Sequence, residues 1–130
     1  MNDRYLYRAK RIDNGEWVEG YLVYDNFDHE YRIVIGLDYS TGTCFHTMMA
    51  PRVDVSIVCQ CTGLKDKNGN LIYENDIVNV NDTLYVCRFD EENFAWEFQN
   101  REETIGICCF HSSDIEIVGN AIDNPELLEV

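Results

Sequence analysis

The chain has 130 residues, a formal net charge of −14, and 45% hydrophobic and 12% aromatic content. A chain of that size forms one domain, or two small units sharing a core, and buries about two-thirds of its unfolded surface without disulfides. The hydrophobic content excludes a disordered chain, and the acidic balance removes the main driving term for ordinary binding to phosphate backbones.

Val and Ile total 22 against 12 for Ala and Leu, which favours strands over helices. The charge is uneven. Residues 1–61 carry 6 basic and 9 acidic groups, net −3, whereas residues 62–130 carry 4 and 15, net −11. Such a field keeps a protein soluble and suits a basic protein partner. There is no basic segment leading into an apolar one and no apolar run long enough to span a bilayer, so the expected location is the cytoplasm and no membrane partner is expected. The six cysteines would stay reduced there.

In chain order, Arg4 to Ile12 reads as a strand with Tyr5, Tyr7 and Ala9 on one face. Asp13-Asn14-Gly15-Glu16 predicts a hairpin with a two-residue Asn-Gly turn, and Trp17 to Tyr24 returns as its partner. Arg4, Arg8, Lys10 and Arg11 form the only basic cluster, read as a solvated strand face or an intramolecular partner for the acidic half rather than a nucleic-acid patch. Asp25 to Glu30 is a polar turn, and Tyr31 to Ile35 is a short strand. Gly36 to Pro51 lacks a pattern and reads as loop, with room for a brief strand near Cys44-Phe45. From Val53 through Val55, Ile57, Cys59 and Cys61, apolar residues alternate with polar ones, which predicts one half-buried strand up to Thr62.

Thr62-Gly63-Leu64-Lys65-Asp66-Lys67-Asn68-Gly69-Asn70-Leu71-Ile72-Tyr73-Glu74-Asn75-Asp76-Ile77-Val78 then ends one strand, turns tightly and launches another. Asp66 and Asn68-Gly69 supply turn chemistry, Leu71, Ile72 and Tyr73 should dock on a core, and Glu74-Asn75-Asp76 breaks the run before the next strand. Beyond it, Leu84 to Phe89 and Phe94 to Gln99 pair around Asp90-Glu91-Glu92-Asn93. Asn100 to Glu103 turns again, and Thr104 to Phe110 and Ile115 to Val118 add two strands. Asn124-Pro125-Glu126 predicts a single terminal helical turn.

No motif carries evident chemistry. Cys59 and Cys61, with Cys108, Cys109 and His111, could be drawn as a zinc site, but thiols on an apolar strand face behave as small hydrophobes. Counted from Asp66 as a calcium loop, the required Gly and bidentate Glu fall on Leu71 and Ile77. His29, His46 and His111 lack a visible nucleophile and orienting partner. Trp17, Trp96, Phe94 and Phe98 lack interleaved basic residues and read as core or strand-surface residues rather than base-stacking platforms. The expectation is therefore no enzyme, no cofactor and no metal.

The 62–78 stretch resembles the signature of the YopX family, small proteins of bacteriophages and prophages whose usual wording is close to TGLKDKNGKEIYEGDIV. The chain departs from it at Asn70, Leu71 and Asn75; the last replaces a usual Gly, and the resemblance implies that Asn75 keeps a left-handed backbone between Glu74 and Asp76. KRIDNGEWVEGYLV near the start and VGNAIDNPELL near the end are similar to the family as well. The resemblance implies a fold and a phage or prophage setting in a bacterial host cell, and names no activity. Its signature residues here are Thr62, Gly63, Leu64, Lys65, Asp66, Asn68, Gly69, Ile72, Tyr73, Asp76, Ile77 and Val78.

The resulting expectation is a mainly β protein: an N-terminal β-hairpin unit over residues 1–61, a C-terminal SH3-like barrel or roll over residues 62–130, and a short C-terminal helical turn. An alternative is one integrated domain. The function expected is non-enzymatic binding of a protein partner, with Glu91, Glu92, Glu102 and Glu103 as candidate partner-binding residues and self-association left open. The alternative is a nucleic-acid-linked role, by weak single-strand binding or by acidic mimicry of DNA.

Overall fold

The computed structural model describes residues 3–38 and 47–128. The protein is mainly β, with antiparallel sheets throughout, and among the described residues no helical segment exceeds four residues. The chain divides into two compact units, Tyr5–Gln60 and Met1–Arg4 with Cys61–Val130.

In the Tyr5–Gln60 unit, β1 (Tyr7–Lys10), β2 (Trp17–Asp25) and β3 (Glu30–Val34) form an antiparallel meander, registered by Ala9↔Val18 and Leu22↔Ile33. Gly20 lies where the meander is tightest: a Cβ there would meet the Val34 carbonyl oxygen at 2.1 Å, so only glycine fits. The expected two-residue turn at Asn14-Gly15 is replaced by a four-residue loop, closed by the Arg11 amide donating to the Glu16 carbonyl at 2.8 Å. Of Asn14 and Gly15, only Gly15 has a positive φ. A two-residue turn of the favoured type needs both central residues there, and the Asn14 side chain instead accepts the Glu16 amide.

β4 (Gly36–Asp38) and β5 (Thr47–Met49) pair within the stretch expected to be loop. The expected brief strand at Cys44-Phe45, and His46, lie outside the described residues. The chain then stitches β3 to β1. The Ile35, Ile33 and Val53 amides donate to the Met49, Pro51 and Tyr31 carbonyls on one side, while the Ile12 and Asp54 amides donate to the Arg52 and Lys10 carbonyls on the other. The stretch from Met49 to Asp54 thereby closes the three strands into a ring around Ala9, Ile33 and Val53, packed by Tyr7, Val18, Leu22 and Val58.

The alternation beginning at Val53 is not one strand. Asp54 accepts both the Ser56 amide at 3.0 Å and its hydroxyl at 2.6 Å, which winds Val55–Ile57 into a 3-10 turn. Local capping overrides the period of two, and Val55 ends 56% exposed. The strand proper, β6 (Cys59–Lys65), starts later and buries Cys59 and Cys61 completely.

In the second unit, β6 pairs with β7 (Leu71–Tyr73). The main sheet is built from β8 (Asp76–Val80), β9 (Thr83–Asp90), β10 (Ala95–Gln99), β11 (Thr104–Gly106) and β12 (Ile115–Asn120), in the order β11-β10-β9-β8-β12. Its core holds Ile72, Val78, Val80, Tyr85, Cys87, Phe98, Ile107 and Ile115. Phe98 is fully buried with ring centroids 6.1 Å from Tyr85 and 5.5 Å from Phe110. The strand expected over Thr104 to Phe110 stops at Gly106. A 3-10 turn at Ile107–Cys109 sends Ile107 into the core and leaves Cys108 and Cys109 exposed. The expected terminal turn is the 3-10 segment Pro125–Leu128.

Candidate functional site

The signature stretch is an internal brace. Asp66 is 4% exposed, and its carboxylate accepts the amides of Asn68 and Asn70 at 2.9 Å and of Ile117, on β12, at 3.1 Å. Burial alone would raise its pKa; the amides of Ile117, Asn70 and Asn68 outweigh that and hold it below the ordinary carboxylate range. Gly69 takes the left-handed conformation that closes this turn. The adjoining Lys67 amide donates to Ile115, and its ammonium pairs with Glu116 at 3.1 Å.

The remaining signature residues are similarly committed. Thr62 donates its hydroxyl to the Ile72 carbonyl and accepts the Leu64 amide, fixing β6 against β7. Gly63 turns at φ +82 beside Arg4. Asp76, 1% exposed, accepts the Tyr73 amide at 2.7 Å and so shapes the corner between β7 and β8. Ile72, Tyr73, Ile77 and Val78 are buried; Leu64 and Lys65 are exposed. Asn75 has φ +73, as its position predicts; its amide donates to Cys87, its carbonyl accepts Ala121, and its Oδ1 accepts the Arg88 guanidinium. The two buried carboxylates face backbone amides rather than a cleft.

The four acids singled out from the sequence are not brought together. Glu91 and Glu92 lie in the turn between β9 and β10, Glu102 and Glu103 in the turn between β10 and β11. Consecutive turns of an antiparallel meander fall at opposite ends of the strand they share, here about 17 Å of β10. Glu103 is also engaged in the fold: its Oε1 accepts the hydroxyl of the buried Tyr85 at 2.5 Å. That bond, then burial, raises the Tyr85 pKa.

Phe94, read from the sequence as a core or strand-surface residue, and Phe27, not singled out there, are both surface features. Phe94 is 83% exposed with φ +53, and Phe27 is 94% exposed. Their turns share a construction. Each begins on an Asp whose Oδ1 accepts two amides, Asp25 from Phe27 and Asp28, Asp90 from Glu92 and Asn93. Each ends four residues later on a left-handed residue, His29 at φ +57 or Phe94. The Asn93 side chain, then these amides, keeps the Asp90 carboxyl below its usual range. The signal that could have found Phe94 is that fourth position, which glycine fills at Gly15.

Arg8 and Lys10 flank Trp17 at 5.1 and 5.4 Å from its ring, so the aromatic and the cations interleave across strands. Arg11 is clamped by Asp13, at 2.9 and 2.7 Å.

One groove of about 870 Å³ opens within the Tyr5–Gln60 unit, where the 12–15 loop, the β2–β3 turn and the 3-10 turn at Val55–Ile57 meet. Its exposed apolar surface comes from Ile12, Tyr24, Tyr31 and Val55, with the two tyrosine rings 5.1 Å apart. Among the described residues, no group of three or more His, Cys, Asp or Glu side chains is placed to hold a metal ion, and no helix is long and apolar enough to cross a membrane.

No curated protein matches the chain. The family model described as YopX protein matches residues 6–129, nearly the whole length, and the chain therefore belongs to the YopX family.

Proposed function

We propose that this YopX-family chain is a non-enzymatic binding module that captures a basic protein through the acidic, aromatic-tipped turn between β9 and β10. One observation carries the reading: Phe94 bears two local costs that do nothing for the fold. A left-handed conformation costs an L-residue about 1–2 kcal/mol, and a bulky residue there is a true outlier. Its ring is 83% exposed, so packing returns little of that cost. Strain and an exposed aromatic at one point mark a site kept for contact with something else, and aromatics are the usual anchors of protein interfaces. Glu91 and Glu92 beside it supply the negative rim that would steer Lys or Arg toward the ring.

A phage or prophage setting in a bacterial cytoplasm fits the family and belongs to the proposal. A nucleic-acid role has the Arg8–Trp17–Lys10 cluster in its favour. Direct strand binding has the net charge of −14 against it, because binding of single strands depends on a positive groove.

The test is capture from bacterial lysate at low and moderate salt by the wild type, by Phe94→Ser and by the Glu91→Gln, Glu92→Gln pair. The expected result is a protein band weakened by salt and by the paired substitution and lost with Phe94→Ser. Recovery of nucleic acid, or of a partner indifferent to all three changes, would overturn the reading.

A further inference from the structure

The chain holds two Asn-Gly steps, and the fold gives them matching surroundings in every respect but one. Asn14-Gly15 lies in the loop between β1 and β2, Asn68-Gly69 in the turn between β6 and β7, and all four residues are exposed. Both glycines are left-handed, at φ +71 and +83, and nothing lies within 4 Å of where a Cβ would stand on either. Both glycine amides donate to a main-chain carbonyl, Gly15 to Arg11 at 3.0 Å and Gly69 to Asp66 at 3.1 Å. The asparagine side chains differ. Asn14 Oδ1 accepts the Glu16 amide at 2.9 Å, and its Nδ2 donates to Glu16 Oε2 at 3.4 Å. Asn68 is held through its backbone amide, which donates to Asp66 Oδ1 at 2.9 Å; among the described residues its side chain has no hydrogen-bond partner.

Side-chain freedom matters here because the chemistry of this dipeptide is intramolecular. The amide nitrogen after an asparagine attacks the side-chain carbonyl carbon, a C–N bond forms, and the side-chain nitrogen leaves as ammonia, carrying the proton lost by the amide. Glycine, with no Cβ, obstructs that attack least. Water then opens the resulting five-membered imide at either carbonyl. One product is aspartate; the other is isoaspartate, in which the main chain runs through the side-chain carbon. Water is the only reagent consumed. To reach the nitrogen, the asparagine must swing its amide group over its own backbone. Asn14 gives up both bonds to Glu16 to do so, and Asn68 gives up none.

We propose that Asn68 is a site of spontaneous deamidation and isoaspartate formation in the native protein, and that the product loosens the brace around Asp66. Asp66 gathers the amides of Asn68, Asn70 and Ile117. Isoaspartate lengthens the main chain inside that turn and draws the first two amides away from the carboxylate. Either product also places a new negative charge two residues from Asp66, and like charges at that range disfavour each other. The turn's hold on β12, through Ile117, therefore weakens with the age of the molecule. Nothing in this chemistry involves the Phe94 turn, so the two readings stand or fall separately.

The test ages the full chain, folded, at physiological temperature and mildly alkaline pH. Peptide mapping by mass spectrometry follows both Asn-Gly steps, an isoaspartyl methyltransferase reports the rerouted product, and a parallel sample is aged unfolded in urea. In the folded chain, conversion at Asn68 should outrun that at Asn14 by at least about tenfold, because two hydrogen bonds hold Asn14 back. In urea the two should convert at similar rates. The wild type should melt lower after ageing. Asn68→Gln, whose longer side chain closes the ring far more slowly and has no bond to lose, should melt like the fresh wild type before and after. Equal rates in the folded chain, no conversion at Asn68, or the same preference in urea would overturn the proposal. So would an age-dependent fall in melting temperature that Asn68→Gln shares.

Discussion

Replacing Phe94 by Gly and by Ala gives the most direct check on the strained turn. Both substitutions remove the same ring, of which only about one-sixth is shielded, so roughly 35 Å² and under about 1 kcal/mol of burial are lost in each. They differ in the backbone. At φ +53 alanine keeps the left-handed penalty of about 1–2 kcal/mol, whereas glycine escapes it at a smaller entropic cost of about 0.5–1 kcal/mol. Glycine should therefore be more stable than alanine by about 0.5–1 kcal/mol, and its melting temperature higher by about 2–4 °C for a chain of this length. In ordinary extended backbone the order reverses, because alanine then keeps the entropic advantage. Urea and thermal melts followed by circular dichroism measure the difference. An alanine variant as stable as the glycine variant would refute the left-handed assignment, and with it the claim that the residue is held there at a cost.

Two further outcomes follow from the brace. Asn75→Gly keeps the left-handed backbone but loses the bond from the Arg88 guanidinium, so it should cost about 1–2 kcal/mol; Asn75→Val loses both and should cost about 1 kcal/mol more, as denaturant melts would show. For Asp66, the folded-state pKa lies below the unfolded one, so its contribution is fully present above about pH 4–5 and is lost as pH falls through the folded pKa. Asp66→Asn should be destabilised by about 1–3 kcal/mol at neutral pH, and a comparison of acid titrations should show a weaker stability loss below pH 4 than in the wild type.

Much of the fold was legible because its causes are local. β-branched residues and regularly spaced turn residues mark a mainly β chain, and Asn75 between Glu74 and Asp76 marks a left-handed corner wherever the strands go. Asp66, Asn68 and Gly69 announce their turn in the same way, though not that the Asp66 carboxylate also reaches the amide of Ile117, 51 residues on. Period-two patterning failed at Val55–Ile57 because a single Asp–Ser cap competes successfully with a short strand, and sequence periodicity does not weigh the two. The separation of Glu92 from Glu102 was implicit once three successive antiparallel strands were accepted, since turn parity alone sends them to opposite ends. The groove was not legible: Ile12, Tyr24, Tyr31 and Val55 meet only because the stretch from Met49 to Asp54 closes β3 onto β1 through backbone bonds that any side chains could accompany. Chain composition determined which residues could be buried. Ring closure and hairpin parity, which depend on non-local backbone pairing, decided which aromatics were left outside and what stood beside them.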